Sequence, residues 1–377
     1  MKRSYLFGIL FLFFLLLSCS KVQTPMFQVD PESNLYLVTS KSIQSYTKKE
    51  NKLELHRVEK IDVATYVNLW FSCLNSGDKM IITEGDDFAP IDHQNIISID
   101  FSKGEMRKNH TKNYAMMGSG ISSNYFYTAQ TDANSGILTV FSLNGKQVFQ
   151  KKFNQMTAIS SQIVANNSNV YAEIAYQDPK RNRPEGVLDS DLIVLNEKEH
   201  WKEKDRIRLT SDGKKVEMLE GLAIVKDRAF VSISAIRDTD TFEKVAGNQL
   251  LSVDLHTGER KLFTLPNPYP NMLYPSPDNH YLVVKHEVEG KNILSVLDLQ
   301  NETIKAIVLD DDSGETPEEI NSLTISNENM LYLATGRHLL QYSLKDAKLI
   351  EKQKLKLGKD DFPIGLRIVE KDLGSNK

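Results

Sequence analysis

The chain has 377 residues and a formal net charge of −4, which allows one large repeat domain or two ordinary ones. The acidic balance excludes a nucleic-acid partner, which calls for a basic stripe. Two cysteines, Cys19 and Cys73, leave no room for a disulfide framework.

Lys2 and Arg3 form a short positive start, followed by an apolar run over residues 6–17. A membrane-spanning helix needs about 20 apolar residues, so this run has the length of a secretion signal and takes no part in the fold. It ends Leu16-Leu17-Ser18-Cys19, which resembles the lipobox of bacterial lipoproteins. The resemblance implies cleavage before Cys19 and a diacylglyceryl group on its thiol. Two acyl chains hold a protein on a membrane where one is marginal. The plain alternative is an ordinary signal peptide with a chance cysteine. Residues 1–18 are thus expected as signal, 19–33 as lipidated cysteine and flexible tether, and 34–377 as the folded domain. Ser20 suits either a Gram-negative outer membrane or a Gram-positive cell surface. Cys73 then has no partner, and its neighbours Leu69, Trp70, Phe71 and Leu74 read as the setting of a buried, inert thiol.

Beyond the tether the chain alternates Val, Ile, Leu, Tyr and Phe in runs of strand length, broken by Asn, Asp and Gly. One sentence recurs: a run leaves a polar turn, a loop follows, a second run ends near Asp or Ser, and a tight turn enters a charged strand. Copies begin at Leu35, Lys79, Asn124, Asn169, Arg228, His280 and Met330, spaced by roughly 45 to 60 residues, close to β-propeller blade lengths. Further apolar runs, such as residues 158–165, 221–225 and 323–325, precede each copy except the first. The missing one stands at the other end, as Pro363-Ile364-Gly365-Leu366-Arg367-Ile368-Val369. The expected fold is therefore all-β, a seven-bladed propeller of four-stranded antiparallel blades, with the C-terminal strand completing the first blade. Such closure removes free sheet edges.

Tyr274-Pro275-Ser276-Pro277-Asp278-Asn279-His280-Tyr281-Leu282 resembles the signature turn and strand of the TolB-like and YVTN-type (quinoprotein-like) propellers. Residues 221–225 and 251–258 are similar to inner-strand and turn motifs of the same superfamily. Asn279 stands where the signature has Gly, and the tryptophan docking motif of quinoprotein dehydrogenases is absent. The resemblance thus implies a fold and no cofactor.

In a four-stranded blade, the loops after the second and fourth strands open on one face. The long insertions here, 84–95, 177–190, 236–248, 266–274, 310–319 and 358–362, all fall on that face, and the opposite turns are short. Loops on a rigid scaffold carry function, so this is the candidate face. Its candidate binding residues are Lys180, Arg181 and Arg183 beside Asp178, Glu185, Asp189 and Asp191; Arg237 and Asp238; and Tyr269, Met272 and Tyr274, with Leu273, as an apolar patch. The acidic stretch over 310–319 lacks the glycine turn and alternating oxygen ligands of a calcium loop. The eight histidines make no paired metal spacing, and no nucleophile elbow is present. No catalytic residue, metal or cofactor is assigned. The expected function is a membrane-anchored scaffold that binds a protein or glycan of the cell envelope. The alternative is a propeller hydrolase or lactonase, which would gather carboxylates of perturbed pKa at the mouth of the central channel.

Overall fold

The computed structural model describes residues 27–49, 52–64, 73–84, 95–110, 116–132, 135–153, 156–178, 180–181, 183–184, 187–309 and 319–369. The signal, Cys19, Glu185, the Cys73 thiol and most of the 84–95 and 310–319 loops lie outside the described part.

The 28 described strands form five four-stranded sheets and one eight-stranded sheet, in which two antiparallel quartets are joined by a single parallel pairing of Ser119 with Gln162, making seven quartets in all. The first is Leu35–Thr39, Ser42–Lys49 and Lys52–Lys60, with Pro363–Ile368 on its inner side. Leu35 pairs with Ile368 and Leu37 with Leu366, so the end of the chain completes the sheet begun at its start. The second runs Cys73–Ser76, Lys79–Glu84, Asn95–Asp100, Glu105–His110. The third comprises Met116–Ile121, Tyr125–Asp132, Ser135–Ser142 and Gln147–Phe153, and the fourth Met156–Asn166, Asn169–Tyr176, Asp189–Asn196 and Lys202–Arg208. The fifth is Lys215–Val225, Arg228–Asp238, Lys244–Asp254 and Arg260–Thr264. Pro270–Pro275, Tyr281–Val288, Lys291–Asp298 and Thr303–Leu309 make the sixth, and Ile320–Ile325, Met330–Thr335, His338–Ser343 and Lys348–Lys354 the seventh.

The middle strands are rich in apolar residues at successive positions because both of their faces are buried. Side chains alternate across a strand. Leu282 and Val284 pack toward the fifth quartet, whereas Tyr281 and Val283 pack toward the seventh. An apolar cluster of this kind fills each junction between successive quartets, including that between the seventh and the first, where Leu339 and Leu355 meet Leu37 and Leu366. The outer strands alternate instead with exposed charged residues, as in Lys52–Lys60, where exposed Lys52 and Glu54 flank buried Leu53, and charge on an edge discourages further strand addition.

The recurring Asp or Ser of the sequence repeat closes a turn. Asp100, Asp254 and Asp298 each accept bonds through Oδ1 from backbone amides two and three residues on. Asn279 has φ +58°, a left-handed conformation that asparagine tolerates better than most residues, so it serves where the signature has glycine.

Two boundaries differ from the sequence expectation. Residues 27–33, assigned to the flexible tether, are packed onto the domain. Phe27 is 6% exposed, its amide bonds the Gly104 carbonyl at 2.9 Å, and the buried Asp30 carboxylate accepts from Ser45 Oγ at 2.9 Å. An isolated aromatic in a polar stretch was the only hint of this. The 236–248 insertion is largely ladder: Ile236 pairs with Val245 and Arg237 with Lys244, leaving a turn at 239–243.

Candidate functional site

The central channel is a cavity of ≈ 220 Å³ lined from all seven inner strands, from Ile364 and Leu74 round to Leu273 and Ser322. Its polar side chains mostly stitch neighbouring strands together. Inner strands of adjacent quartets splay, so their backbones seldom pair, and side chains bridge them instead. Gln162 Oε1 accepts from the amides of Leu222 at 3.1 Å and Leu273 at 2.8 Å, and its Nε2 donates to the Leu273 carbonyl. Asn75 donates to the Leu366 carbonyl, and Ser322 accepts from the Leu366 amide. The approach is close enough that a Cβ on Gly221 would lie 2.0 Å from the Asn271 carbonyl oxygen, so only glycine fits.

Two carboxyl groups of the fourth and fifth quartets, neither among the residues that line the channel, hold their protons more tightly than usual. Glu173, in Asn169–Tyr176, is buried, and burial pushes its pKa up to about 8, opposed by a hydrogen bond with Ser190 and reinforced by the charges of Glu220 and Asp191. Glu220, in Lys215–Val225, is also raised by burial, against a hydrogen bond with Ser234. Sequence reasoning missed both. The available signal was an acid within an otherwise apolar strand, Val170-Tyr171-Ala172-Glu173-Ile174. Among the described residues no group of three His, Cys, Asp or Glu is placed to hold a metal ion.

The basic cluster of the fourth quartet is engaged with its own chain. Asp189 is fully buried and meets Arg181 Nη1 at 2.6 Å, Arg183 Nη2 at 3.4 Å and Thr210 Oγ1 at 3.0 Å. Arg183 also donates to the carbonyls of Ser211 and Gly213. Arg181 pairs with Asp212 as well. Beside it, Arg208 Nε lies 2.7 Å from Asp191 Oδ1, and Arg208 Nη2 donates to Tyr176 at 2.8 Å and Asp178 at 3.2 Å. Burial works against the Arg208 charge, but Asp191 and Asp178 outweigh it and hold its pKa above the usual range. The adjacent loop is thereby strapped across to the connection entering the fifth quartet. Lys180 alone of the three expected cations is exposed at this edge.

The apolar patch is only partly where the sequence put it. Met272 and Leu273 belong to the inner strand Pro270–Pro275 and are 4% and 1% exposed, and Tyr274 is half-buried on the channel wall. Residues of an inner strand face the ring axis and the neighbouring blade, not the face. Tyr269 alone is exposed, at 41%, with its amide bonded to the Gly247 carbonyl. That bond docks it beside the fifth-quartet hairpin, whose turn carries Phe242 at 51% exposure and whose return strand carries Val245 at 49%. Asp238 shapes this turn by accepting from the amides of Asp240 and Thr241, and Arg237 is half-buried in the strand below.

No protein-family model and no curated protein matches the chain. Solved structures of β-propeller proteins do. A periplasmic gluconolactonase of Pseudomonas aeruginosa is 13% identical, with 90% of this chain and 99% of that chain covered and a TM-score of 0.57. A functionally unknown protein from Desulfotomaculum acetoxidans is 11% identical over 90% and 100%, with a TM-score of 0.55. A dihydro-heme d1 dehydrogenase is 11% identical over 92% and 77%, at 0.52. At such identities the likeness is one of fold. The chain is an all-β protein of the propeller class.

Proposed function

We propose that this protein is an exported envelope lipoprotein, anchored through Cys19, whose seven quartets form one ring that binds a protein or glycan partner on its long-loop face. One observation supports this most. Among the described residues, six of the nine exposed large apolar side chains are scattered along outer strands, and the other three, Phe242, Val245 and Tyr269, lie in or beside the fifth-quartet hairpin. Exposed aromatic side chains on a rigid element are what interfaces use as anchors. Phe242 and Tyr269 suit an apolar side chain of a polypeptide or the C–H face of a sugar. The test is photo-crosslinking in intact cells, with the probe replacing exposed Thr241 and a control at Asn144 in a tight turn. Capture of one discrete partner from Thr241 alone is expected. Equal capture from both positions, or none, overturns the reading.

A second reading, a hydrolase or lactonase, has Glu173 and Glu220 in its favour: a carboxyl that keeps its proton near neutral pH can serve as a general acid. The purified chain hydrolysing a sugar lactone, with loss in both Glu173→Gln and Glu220→Gln, would establish it in place of the first.

A further inference from the structure

We infer that the tight-turn face of the propeller lies against the membrane and that the long-loop face points away from it. The inference rests on the lipid-anchor reading of Cys19 and deepens it. The first described residue, Phe27, sits on the tight-turn side. Its amide bonds Gly104, in the turn between Asn95–Asp100 and Glu105–His110, and its ring meets Phe101 edge-on at 5.6 Å between centroids. From there the chain stays pinned to that face. The Asp30 amide bonds the Tyr36 hydroxyl, the Asp30 carboxylate bonds His56, and the Asn34 amide reaches the Tyr46 carbonyl.

Chain length decides the rest. Eight residue steps separate Phe27 from Cys19, a reach of roughly 28 Å at full extension. The root-mean-square span of a random chain of eight steps is only about 15 Å. A blade strand of about seven residues is itself roughly 23 Å long, and the long-loop hairpin stands beyond it. A tether leaving the tight-turn face has therefore used most of its full extension before it reaches the opposite rim. The tight-turn face itself gives no reason to insert. Among the described residues the exposed large apolar side chains lie in outer strands or in and beside the fifth-quartet hairpin, and the turns mix Lys103, Lys146 and Lys345 with Asp78, Asp227 and Asp278. The membrane is met by proximity through the lipid, and the partner-binding hairpin is presented outward.

The test uses the full lipidated chain in vesicles of neutral phospholipid containing a headgroup-labelled acceptor lipid. A donor dye is attached through a genetically encoded azide at Asn144 or at Thr241, which leaves both cysteines untouched. Energy transfer severalfold stronger from Asn144 is expected. Equal transfer, or more from Thr241, overturns the orientation. Cys19→Ala should lose co-flotation with vesicles altogether. A lipid-competent chain that fails to float, or a Cys19→Ala chain that floats equally well, sinks the anchor reading and the orientation with it, an outcome distinct from wrong-way transfer. Inserting about twenty Gly and Ser residues between Val22 and Gln23 gives the tether reach enough to release the constraint. The ratio should then fall toward one, and an unchanged ratio would show that the tether does not set the orientation.

Discussion

Two neighbouring segments of the long-loop face, one in the fourth quartet and one in the fifth, join the same pair of strands in the repeat and behave oppositely. The described residues between 177 and 188 leave the sheet and are held by charge: Arg181 and Arg183 converge on the buried Asp189 and on carbonyls of the next connection. Residues 236–248 stay in the ladder, project as a hairpin and end in an exposed phenylalanine. The loop with more charge has its guanidinium groups already paired within the chain. An arginine beside a buried carboxylate gains more from that carboxylate than from any solvent-exposed anion, since the buried charge has lost its water. Cationic loops are thus poor guides to binding surfaces unless the burial of nearby acids is known.

Cutting the strap tests the comparison most severely. Asp189→Ala leaves Arg183 and Arg181 without their buried anion, and removal of one partner from such a cluster costs roughly 3–5 kcal/mol. Chemical denaturation should show that loss, and crosslinking from Thr241 should persist if the hairpin stands independently of the strap. An effect of similar size, but one that depends on pH, is expected where the two quartets meet electrostatically, at Glu173. Its folded-state pKa of about 8 exceeds the ordinary value of 4.5, so between these values the folded chain binds the extra proton and stability falls as pH rises. Glu173→Gln removes that dependence. The variant should be more stable than the parent at pH 8, by about 4 kcal/mol, with the difference shrinking toward pH 4.5. Thermal unfolding across that range checks it, and a parallel offset at every pH would show that Glu173 is charged throughout. The smallest stability effect belongs to the hairpin tip. Phe242→Ala and Tyr269→Ala should each change stability by no more than about 0.5 kcal/mol. Each should nevertheless weaken partner binding by roughly tenfold or more, as anchor residues do. Unchanged affinity in both would move the binding site elsewhere.

The architecture was legible because it repeats. Alternation of apolar residues identified strands, and the onsets at Lys79, Asn169, Arg228 and Met330 coincide with observed strand starts. Counting inner runs placed 363–369 beside Leu35, and the register Leu35 to Ile368 agrees. Site residues were less legible. Met272 and Leu273 resemble a surface patch in a proline-rich segment, yet one step of strand places them on the channel wall. Phe242 went unremarked in a loop of charged residues, because the pairing of 236 with 245 depends on a partner strand and not on local pattern.

By itself the sequence determined the strand alternation, the turn residues that punctuate it, the order of the quartets and the closure of the first by the last strand. These follow from short-range sterics and from a period of two, which any one copy carries and seven copies repeat. Only the tertiary structure decided which charges are neutralised, which carboxyls keep their protons and which apolar side chains reach solvent. Those properties depend on residues brought together from different strands and connections, such as Gln162 with Leu273 or Asp189 with Thr210, and on the water that their packing excludes.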